Sequence, residues 1–286
     1  MKLAIGIDMG GTKIQGILMN EKGRIINKCR RATEAHKPKK KIVANIVEVI
    51  NTLKTKDVKG VGLGIAGFAV NGKMVYGGGF LGKLVGVNIK KEIEKKTGLK
   101  AYIENDANCF ALAEHRFGAA KGSTNCLGVI IGTGVGMGII INNQIYSGSA
   151  GGAGEPGHSY LVTDRGLKEV EELIGGKFIV KRYEELSGKR AHSAAVIVNK
   201  KDKIARKVYD EFVLYTGLFF ANLIWTFNPD CIVVGGGVSN IPFYKDVQKV
   251  VNKYANPYMA KMCKIKKHAI GDDAGVIGAA ELVFSD

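Results

Sequence analysis

Apolar residues flank a glycine-rich turn in two similar stretches of the chain. "LAIGIDMGGTKIQGILMN" (3–20) and "CLGVIIGTGVGMGIIIN" (126–142) each run from an apolar stretch through a turn with a threonine into a second apolar stretch. This pattern predicts two β-hairpins, because tight turns favour residues that adopt positive φ at no steric cost. Two hairpins of similar build indicate two lobes of related design.

Helical periodicity follows each hairpin. Apolar residues spaced three and four apart predict a helix over 39–54, and a buried strand over 60–67 and a loop over 68–82 come next. After the second hairpin, a long apolar stripe predicts a helix over 203–227, which Pro229 ends because proline cannot continue a helix.

The C-terminal part continues the alternation of strands and helices. "CIVVGGGVSN" (231–240) predicts a buried strand that leads into a glycine turn, with Ser239 as the cap of a helix that extends to Tyr254. A final amphipathic helix is expected over 272–284. Strands that alternate with helices place the chain in the α/β class.

Charge and composition narrow the possible partners. The 286 residues include 42 Lys and Arg against 26 Asp and Glu, a net charge of +16. The lysine-rich segments lack interleaved aromatic residues, so solvated helix faces are expected and not a nucleic-acid surface. The sequence has neither an apolar stretch of membrane-spanning length nor a secretory leader, so a cytoplasmic protein without a membrane partner is expected.

The cysteines predict no special chemistry. They are odd in number, never form a C-x-x-C pair and mostly lie in apolar runs, which favours reduced, buried thiols over disulfides or zinc ligands. The five are Cys29, Cys109, Cys126, Cys231 and Cys263.

The turn of the first hairpin, "GIDMGGTK" (6–13), is the first candidate site. Asp8, at the end of a buried strand, could hold a magnesium ion directly or through water. The residues after it could direct amides, a hydroxyl and an ammonium group at a phosphate. An ordinary hairpin turn is the alternative. The residues concerned are Gly10, Gly11, Thr12 and Lys13.

Two further glycine turns strengthen the interpretation as a phosphate site. "GTGVG" (132–136) lies in the second hairpin, and "VVGGGV" (233–238) ends a strand, where nucleotides bind in α/β sheets. Each could be a tight turn alone, but three together indicate an ATP cleft. Their candidate residues are Gly132, Thr133, Gly134, Gly235, Gly236 and Gly237.

A polar pair precedes a helical stretch in "ENDANCFALAEHRFG" (104–118). The apolar residues of this stretch fall on one helical face, which places Asn105 and Asp106 at the helix N-terminus. Asp106 could accept a proton from an attacking hydroxyl while Asn105 orients it. Alternatively, one of the two merely caps the helix.

A glutamate and a histidine flank a Pro-Gly turn in "GAGEPGHSY" (152–160). Alone, the pair is compatible with metal binding, acid/base chemistry, substrate binding or only a turn. In their order and spacing, however, the motifs resemble those of the ROK family of sugar kinases, over residues 3–284. "DMGGTK" and "GTGVG" resemble its phosphate motifs, "VVGGGVS" its adenosine motif, "NDAN" its catalytic-base motif and "GEPGH" its sugar signature.

The resemblance implies a fold and an activity. The fold is α/β with two lobes, of the actin/hexokinase ATPase type, in which a ribonuclease H-like motif is duplicated around a cleft. The small lobe would comprise 1–106 plus 273–286 and the large lobe 107–272. The implied activity is transfer of the γ-phosphate of ATP, with Mg²⁺, to the 6-hydroxyl of a hexose such as glucose or of an N-acetylhexosamine. Homodimers are usual in the family.

Roles for individual residues also follow from the resemblance. Asp106 would be the general base, and Asp8 would hold Mg²⁺, possibly through water. The residues of the three glycine turns would bind ATP. The sugar would be contacted by Asn105, Glu155, His158, Glu171 and Gly67, with Glu172 as the alternative to Glu171.

Two segments depart from the family pattern. "SYLVTDRGLKEVEELIGG" (159–176) has no cysteine where many members carry C-x-C-G-x-x-G-C, so no structural zinc is expected. "YGGGFLG" (76–82) replaces a Pro-Asn-Leu segment that touches the sugar in many relatives. The glycines could admit a bulkier 2-N-acetyl group or another epimer, or could be a simple loop variation.

A sugar-binding regulator and an inactive sugar binder are the competing functions. Family regulators carry an N-terminal helix-turn-helix domain, whereas here the first phosphate motif begins at Asp8, which leaves no room for one. The presence of Asp106 favours activity over an inactive binder. An ATP-dependent sugar kinase is therefore the preferred expectation.

Overall fold

The first half of the chain forms a mixed sheet with helices on its faces. The computed structural model describes residues 1–200 and 202–285. Its first elements are β1 (Leu3–Met9), β2 (Lys13–Asn20), β3 (Ile25–Ala32), α1 (Lys39–Leu53), β4 (Val58–Ile65), β5 (Gly67–Val70), β6 (Lys73–Gly77), α2 (Ile89–Thr97), β7 (Ala101–Asn105) and α3 (Asp106–Phe117). The main sheet has the strand order β3-β2-β1-β4-β7.

The second half forms another mixed sheet. Its strands and helices are β8 (Cys126–Ile131), β9 (Val135–Ile141), β10 (Gln144–Ile145), β11 (Tyr160–Thr163), β12 (Gly166–Glu169), α4 (Val170–Ile174), α5 (Gly176–Ser187), α6 (Ala194–Val198), α7 (Lys203–Phe227), β13 (Cys231–Gly235), α8 (Tyr244–Tyr254), α9 (Pro257–Met262), β14 (Lys264–Lys267) and α10 (Ala274–Glu281). The strand order of this sheet is β10-β9-β8-β13-β14.

The two sheets have the same topology. In each, three antiparallel strands are followed by two strands parallel to the first, β4 and β7 in one and β13 and β14 in the other. The parallel strands require crossovers, which helices supply. The prediction of two hairpins in two lobes of related design is confirmed.

Helices α3 and α10 pack against each other between the sheets. Helix α10 also contacts β1 and β4, while α3 also contacts β8 and β9. The approach is close: a Cβ atom at Gly62 would overlap the carbonyl oxygen of Ala279. This contact explains why the apolar strand β4 carries glycine at that position.

Several predicted elements agree with the structure to within a few residues. Helices α1 and α7 and strands β4 and β13 are confirmed. The final helix is shorter than predicted, because a 3₁₀ turn over Gly271–Asp273 precedes it and the helix ends at Glu281. The cysteines in the described part are free, with Cys29 partly accessible and the others buried.

Two predictions are wrong. The segment 68–82 is not a plain loop, because β5 and β6 pair within it and the rings of Phe68 and Tyr76 stack at 5.1 Å. Ser239 does not cap a helix, since its hydroxyl donates to the carbonyl of Gly236 at 2.7 Å and α8 begins only at Tyr244. Neither stacking nor a short 3₁₀ turn leaves a clear periodicity in the sequence.

No helix in the described residues 1–200 and 202–285 is both long and apolar enough to cross a bilayer.

Candidate active site

Asp106 lies where strand β7 meets helix α3. The preceding residue, Asn105, is the helix cap: its side-chain oxygen accepts from the amides of Ala107 and Asn108 at 2.8 and 3.2 Å. The side-chain nitrogen Nδ2 of Asn105 donates to the carbonyl of Gly67 at 3.0 Å. The capping role considered for this pair therefore falls to Asn105, while Asp106 begins the first helical turn.

The carboxyl group of Asp106 is unusually hard to ionise. Burial, the charge of Asp8 and the charge of Glu155, in that order, raise its pKa from 3.8 to about 6. Backbone hydrogen bonds, from the amide of Ala107 at 2.9 Å and from the amide of Asp106 itself, oppose this shift in pKa. A carboxylate with a pKa near neutrality is suited to accept a proton, because it is ionised at pH 7 and still basic.

Asp8 stands at the end of β1 beside the first glycine turn. Burial raises the pKa of its carboxyl group, and the charge of Lys13 acts against this. Two bonds to Thr33 fix the turn: its hydroxyl donates to the carbonyl of Gly10 at 2.6 Å and its amide to that of Thr12 at 3.0 Å. Gly11, Thr12 and Lys13 are exposed.

The second glycine turn is tied to helices α4 and α5. The amide of Gly132 donates to the carbonyl of Gly134 at 2.9 Å, and the amide of Gly176 donates to the carbonyl of Gly132 at 2.8 Å. Next to the turn, Val135 donates its amide hydrogen to the carboxylate of Glu171 at 3.0 Å.

Glu171 and Glu172 have different environments. Glu171 bonds the second glycine turn, and its charge raises the pKa of Glu155. Glu172 is exposed. Of the two adjacent carboxylates, it is Glu171 that faces the cluster around Asp106.

The second and third glycine turns share one cavity. It measures about 810 Å³, and its lining includes Gly132, Thr133 and Gly237. Gly235 and Gly236 precede Gly237 in the chain, and Gly236 has a φ of 78°, which turns the chain from β13 into the 3₁₀ segment over Gly237–Asn240. The first glycine turn is not among the described residues that line this cavity. Its neighbour Asp8 acts on the site because the charge of Asp8 raises the pKa of Asp106.

The segment "GAGEPGH" lies along strand β9. The amide of Met137 donates to the carbonyl of Gly154 at 3.0 Å, which places the next residue, Glu155, beside the cluster. Burial raises the pKa of Glu155, the charge of His158 lowers it and the charge of Glu171 raises it. Asp8, Asp106, Glu155 and Glu171 thus form a connected group of carboxylates.

His158 is exposed and has an acidic neighbour. Its Nδ1 atom lies 3.4 Å from a carboxylate oxygen of Glu169, and the hydroxyl of Tyr160 donates to the other oxygen at 3.1 Å. Tyr160 and Glu169 are opposite each other in the β11–β12 hairpin. In the described part of the chain, Glu169 therefore occupies one side of the histidine ring.

Sequence reasoning missed two carboxylates. Glu169 could have been found from the turn "TDRG" (163–166), which predicts a hairpin that brings positions 160 and 169 together. Glu104 accepts from the amide of Asn105 at 2.8 Å, from the side chain of Asn108 at 3.0 Å and from Ser147 at 3.0 Å. No local pattern identifies Glu104, since Ser147 is 43 residues away.

Known proteins resemble this chain over nearly its full length. It is 32% identical to a glucokinase of Halalkalibacterium halodurans, with 98% of this chain and 94% of that protein covered. It is 33% identical to an N-acetyl-D-glucosamine kinase of Aliivibrio salmonicida, with 97% and 98% covered. The ROK family glucokinase of Streptomyces griseus, solved in complex with glucose and AMPPNP, superimposes with a TM-score of 0.78 at 27% identity and covers 99% of this chain and 100% of that one.

These likenesses agree with the sequence motifs and with the two sheets of equal topology. The ROK family pattern matches residues 4–285. The chain belongs to the ROK family, and it has the family's two-lobed α/β fold.

Proposed function

We propose that this protein is an ATP-dependent sugar kinase that phosphorylates the primary hydroxyl of a hexose or an N-acetylhexosamine. The observation that carries the proposal is Asp106, a carboxylate with a pKa near 6 at a helix N-terminus, with Asp8 and Glu155 as charged neighbours. Glucokinases and N-acetylglucosamine kinases among the relatives support the reaction class.

Asp106 is the proposed general base. Its carboxylate would accept the proton of the sugar hydroxyl as that oxygen attacks the γ-phosphate of ATP. The side-chain oxygen of Asn105 caps α3 and its side-chain nitrogen donates one hydrogen to Gly67. Asn105 would therefore orient the sugar through the second hydrogen of that nitrogen. Gly67 would thus support the site by holding Asn105.

Glu155, His158 and Glu171 are the proposed sugar-binding side chains. The pKa of Glu155 is raised, so its carboxyl group would accept a hydrogen bond from a sugar hydroxyl when ionised and donate one when protonated. Open space at Gly78 and Gly79 supports acceptance of a substituent on the sugar, because Cβ atoms at these two positions would meet no atom of the described side chains and backbone within 4 Å. The competing loop-variation hypothesis predicts no preference for N-acetylated sugars.

The glycine turns are proposed to bind ATP. The cavity lined by Gly132, Thr133 and Gly237 has room for a nucleoside, and the amides of Gly11 and Thr12 donate to no group in the described part of the chain. Among described residues no three acidic, histidine or cysteine side chains could hold a metal ion together. Mg²⁺ would therefore be held by Asp8 and by ATP, and its chemistry would be to offset the phosphate charge.

We also propose the lobe boundaries and a homodimer. The small lobe would be 1–106 plus 273–286, since the first sheet lies within it and α10 packs on β1 and β4. The large lobe would be 107–272. Closure of the lobes on the sugar would exclude water from the reaction.

An ADP-release assay tests the proposal against glucose, mannose, fructose, allose, N-acetylglucosamine and N-acetylmannosamine. We expect turnover on at least one sugar, loss of activity with EDTA and recovery with excess Mg²⁺, and no turnover by Asp106→Asn. Sugar binding without turnover on any member of the panel would favour the regulator or the inactive binder.

A further inference from the structure

A basic cavity of about 290 Å³ lies beside the second glycine turn. It is enclosed by the tip of the β11–β12 hairpin, helix α4 and helix α5, and it reaches Thr133. Three carboxylates, Glu171, Glu172 and Glu185, line it together with five cationic side chains. The cationic residues are Arg165, Lys168, Lys177, Lys181 and Arg182.

Arg165 is held at the hairpin tip with its guanidinium group turned inward. Its amide donates to the hydroxyl of Thr163 at 3.1 Å, and that hydroxyl donates to the carbonyl of Gly166 at 2.8 Å. The guanidinium carbon lies 5.7 Å from the ring centre of Phe178. Two guanidinium nitrogens, Nε and Nη2, are buried without a hydrogen-bond partner in the described part of the chain.

The two neighbouring carboxylates do not satisfy the hydrogen bonds of Arg165. Asp164 lies 4.0 Å from its Nε atom and Glu211 lies 3.9 Å from its Nη2 atom, and both distances are too long for a hydrogen bond. Arg182 already engages both oxygens of Glu211, at 2.8 and 3.1 Å, which raises the pKa of Arg182. The Arg165 side chain is 29% exposed, but its two buried donors lack acceptors, which is unfavourable, so an added acceptor would stabilise them.

Three lysines add charge at the same place. The ammonium groups of Lys168, Lys177 and Lys181 make no ion pair or hydrogen bond with any described residue. In a cavity where five cationic side chains outnumber three carboxylates, a planar guanidinium with two free donors fits the oxygens of a tetrahedral oxyanion. Phosphate and pyrophosphate are small enough for a cavity of about 290 Å³.

We propose that this cavity binds a small phosphate anion, orthophosphate or pyrophosphate, through Arg165 and Lys168, at a site separate from the phosphates of ATP. The cavity shares Thr133, Lys177 and Lys181 with the proposed nucleoside cavity, whereas Arg165 and Lys168 line this cavity and are not among the residues that line the other. Bound anion would join the hairpin that carries Glu169 to helix α5. The proposal does not depend on the proposed kinase activity.

Calorimetric titration with pyrophosphate and with orthophosphate, without Mg²⁺ and at constant ionic strength, tests the site. Loss of charge-assisted hydrogen bonds in Arg165→Gln should weaken binding at least tenfold, and Lys168→Gln should weaken it severalfold. Arg190→Gln, at an exposed arginine outside the cavity, is the matched control and should bind within twofold of the unaltered protein.

Repeating the titration with a saturating non-hydrolysable ATP analogue separates the two possible sites. Binding that persists and still depends on Arg165 and Lys168 supports the proposal. Loss of binding in the presence of the analogue would assign the anion to the ATP phosphate site and overturn it. Equal affinity of Arg165→Gln, Lys168→Gln and the unaltered protein would overturn it as well.

Discussion

Asp106→Asn should abolish kinase activity. It should also make the ligand-free protein more stable against unfolding. The pKa of Asp106 is about 6 in the folded chain, against 3.8 for the unperturbed carboxyl group. A difference of about two units corresponds to about 3 kcal/mol of folding free energy at pH 7.5, where both states are ionised. Because the variant can keep the bond from Ala107, a gain of about 1–3 kcal/mol is expected.

The gain should depend on pH with a defined sign. A carboxyl group with a raised folded pKa favours the folded state below the unfolded pKa of 3.8, and this contribution is lost as the pH rises through 6. The difference between the two proteins should therefore be largest above pH 7 and small at pH 4. Partial accessibility of Asp106 from the cleft makes 3 kcal/mol an upper value.

Urea denaturation of both proteins at pH 7.5 and pH 4 measures the free energy of unfolding. Nucleotide affinity and kcat are measured on the same two proteins. Asp57→Asn at an exposed position is the control and should change the unfolding free energy by less than about 0.5 kcal/mol. A variant less stable than the unaltered protein at pH 7.5, or a gain that is equal at both pH values, would refute the electrostatic reasoning. Unchanged kcat would refute the assignment of Asp106 as the base.

Three further predictions concern other residues. Glu155→Gln removes a charge that raises the pKa of Asp106, so the acid limb of the kcat/KM profile should move to lower pH; an unmoved limb would contradict the coupling. Glu171→Gln should raise the KM for sugar at least tenfold and Glu172→Gln should not, because of the two only Glu171 faces the cluster of carboxylates around Asp106. Equal effects of the two variants in steady-state kinetics would count against this assignment. Gly62→Ala should lower the unfolding free energy by about 2–4 kcal/mol, because the added Cβ atom would overlap Ala279. Gly78→Ala is the control and should leave the unfolding free energy nearly unchanged, because it lies in open space. Equal urea midpoints for the two variants would argue against the close packing at Gly62.

Local patterns in the sequence were sufficient for much of the fold. The apolar, glycine and apolar pattern predicts β1–β2 and β8–β9, and apolar spacing predicts α1 and α7. Periodicity also predicts that α3 begins near Asn105 and Asp106, and the structure shows that Asn105 is the cap. The order of the motifs predicts membership of the ROK family, and this membership is confirmed by the match over residues 4–285.

The interactions within the site required the tertiary structure. The pKa of Asp106 depends on Asp8 and Glu155, which lie about a hundred and about fifty residues away in the sequence. Glu169 meets His158 only once the β11–β12 hairpin forms, and Glu211 is hydrogen-bonded to Arg182 and not to Arg165. Periodicity encodes which face of an element is buried, whereas burial of a charge and its Coulomb energy depend on distances that only the packed chain sets.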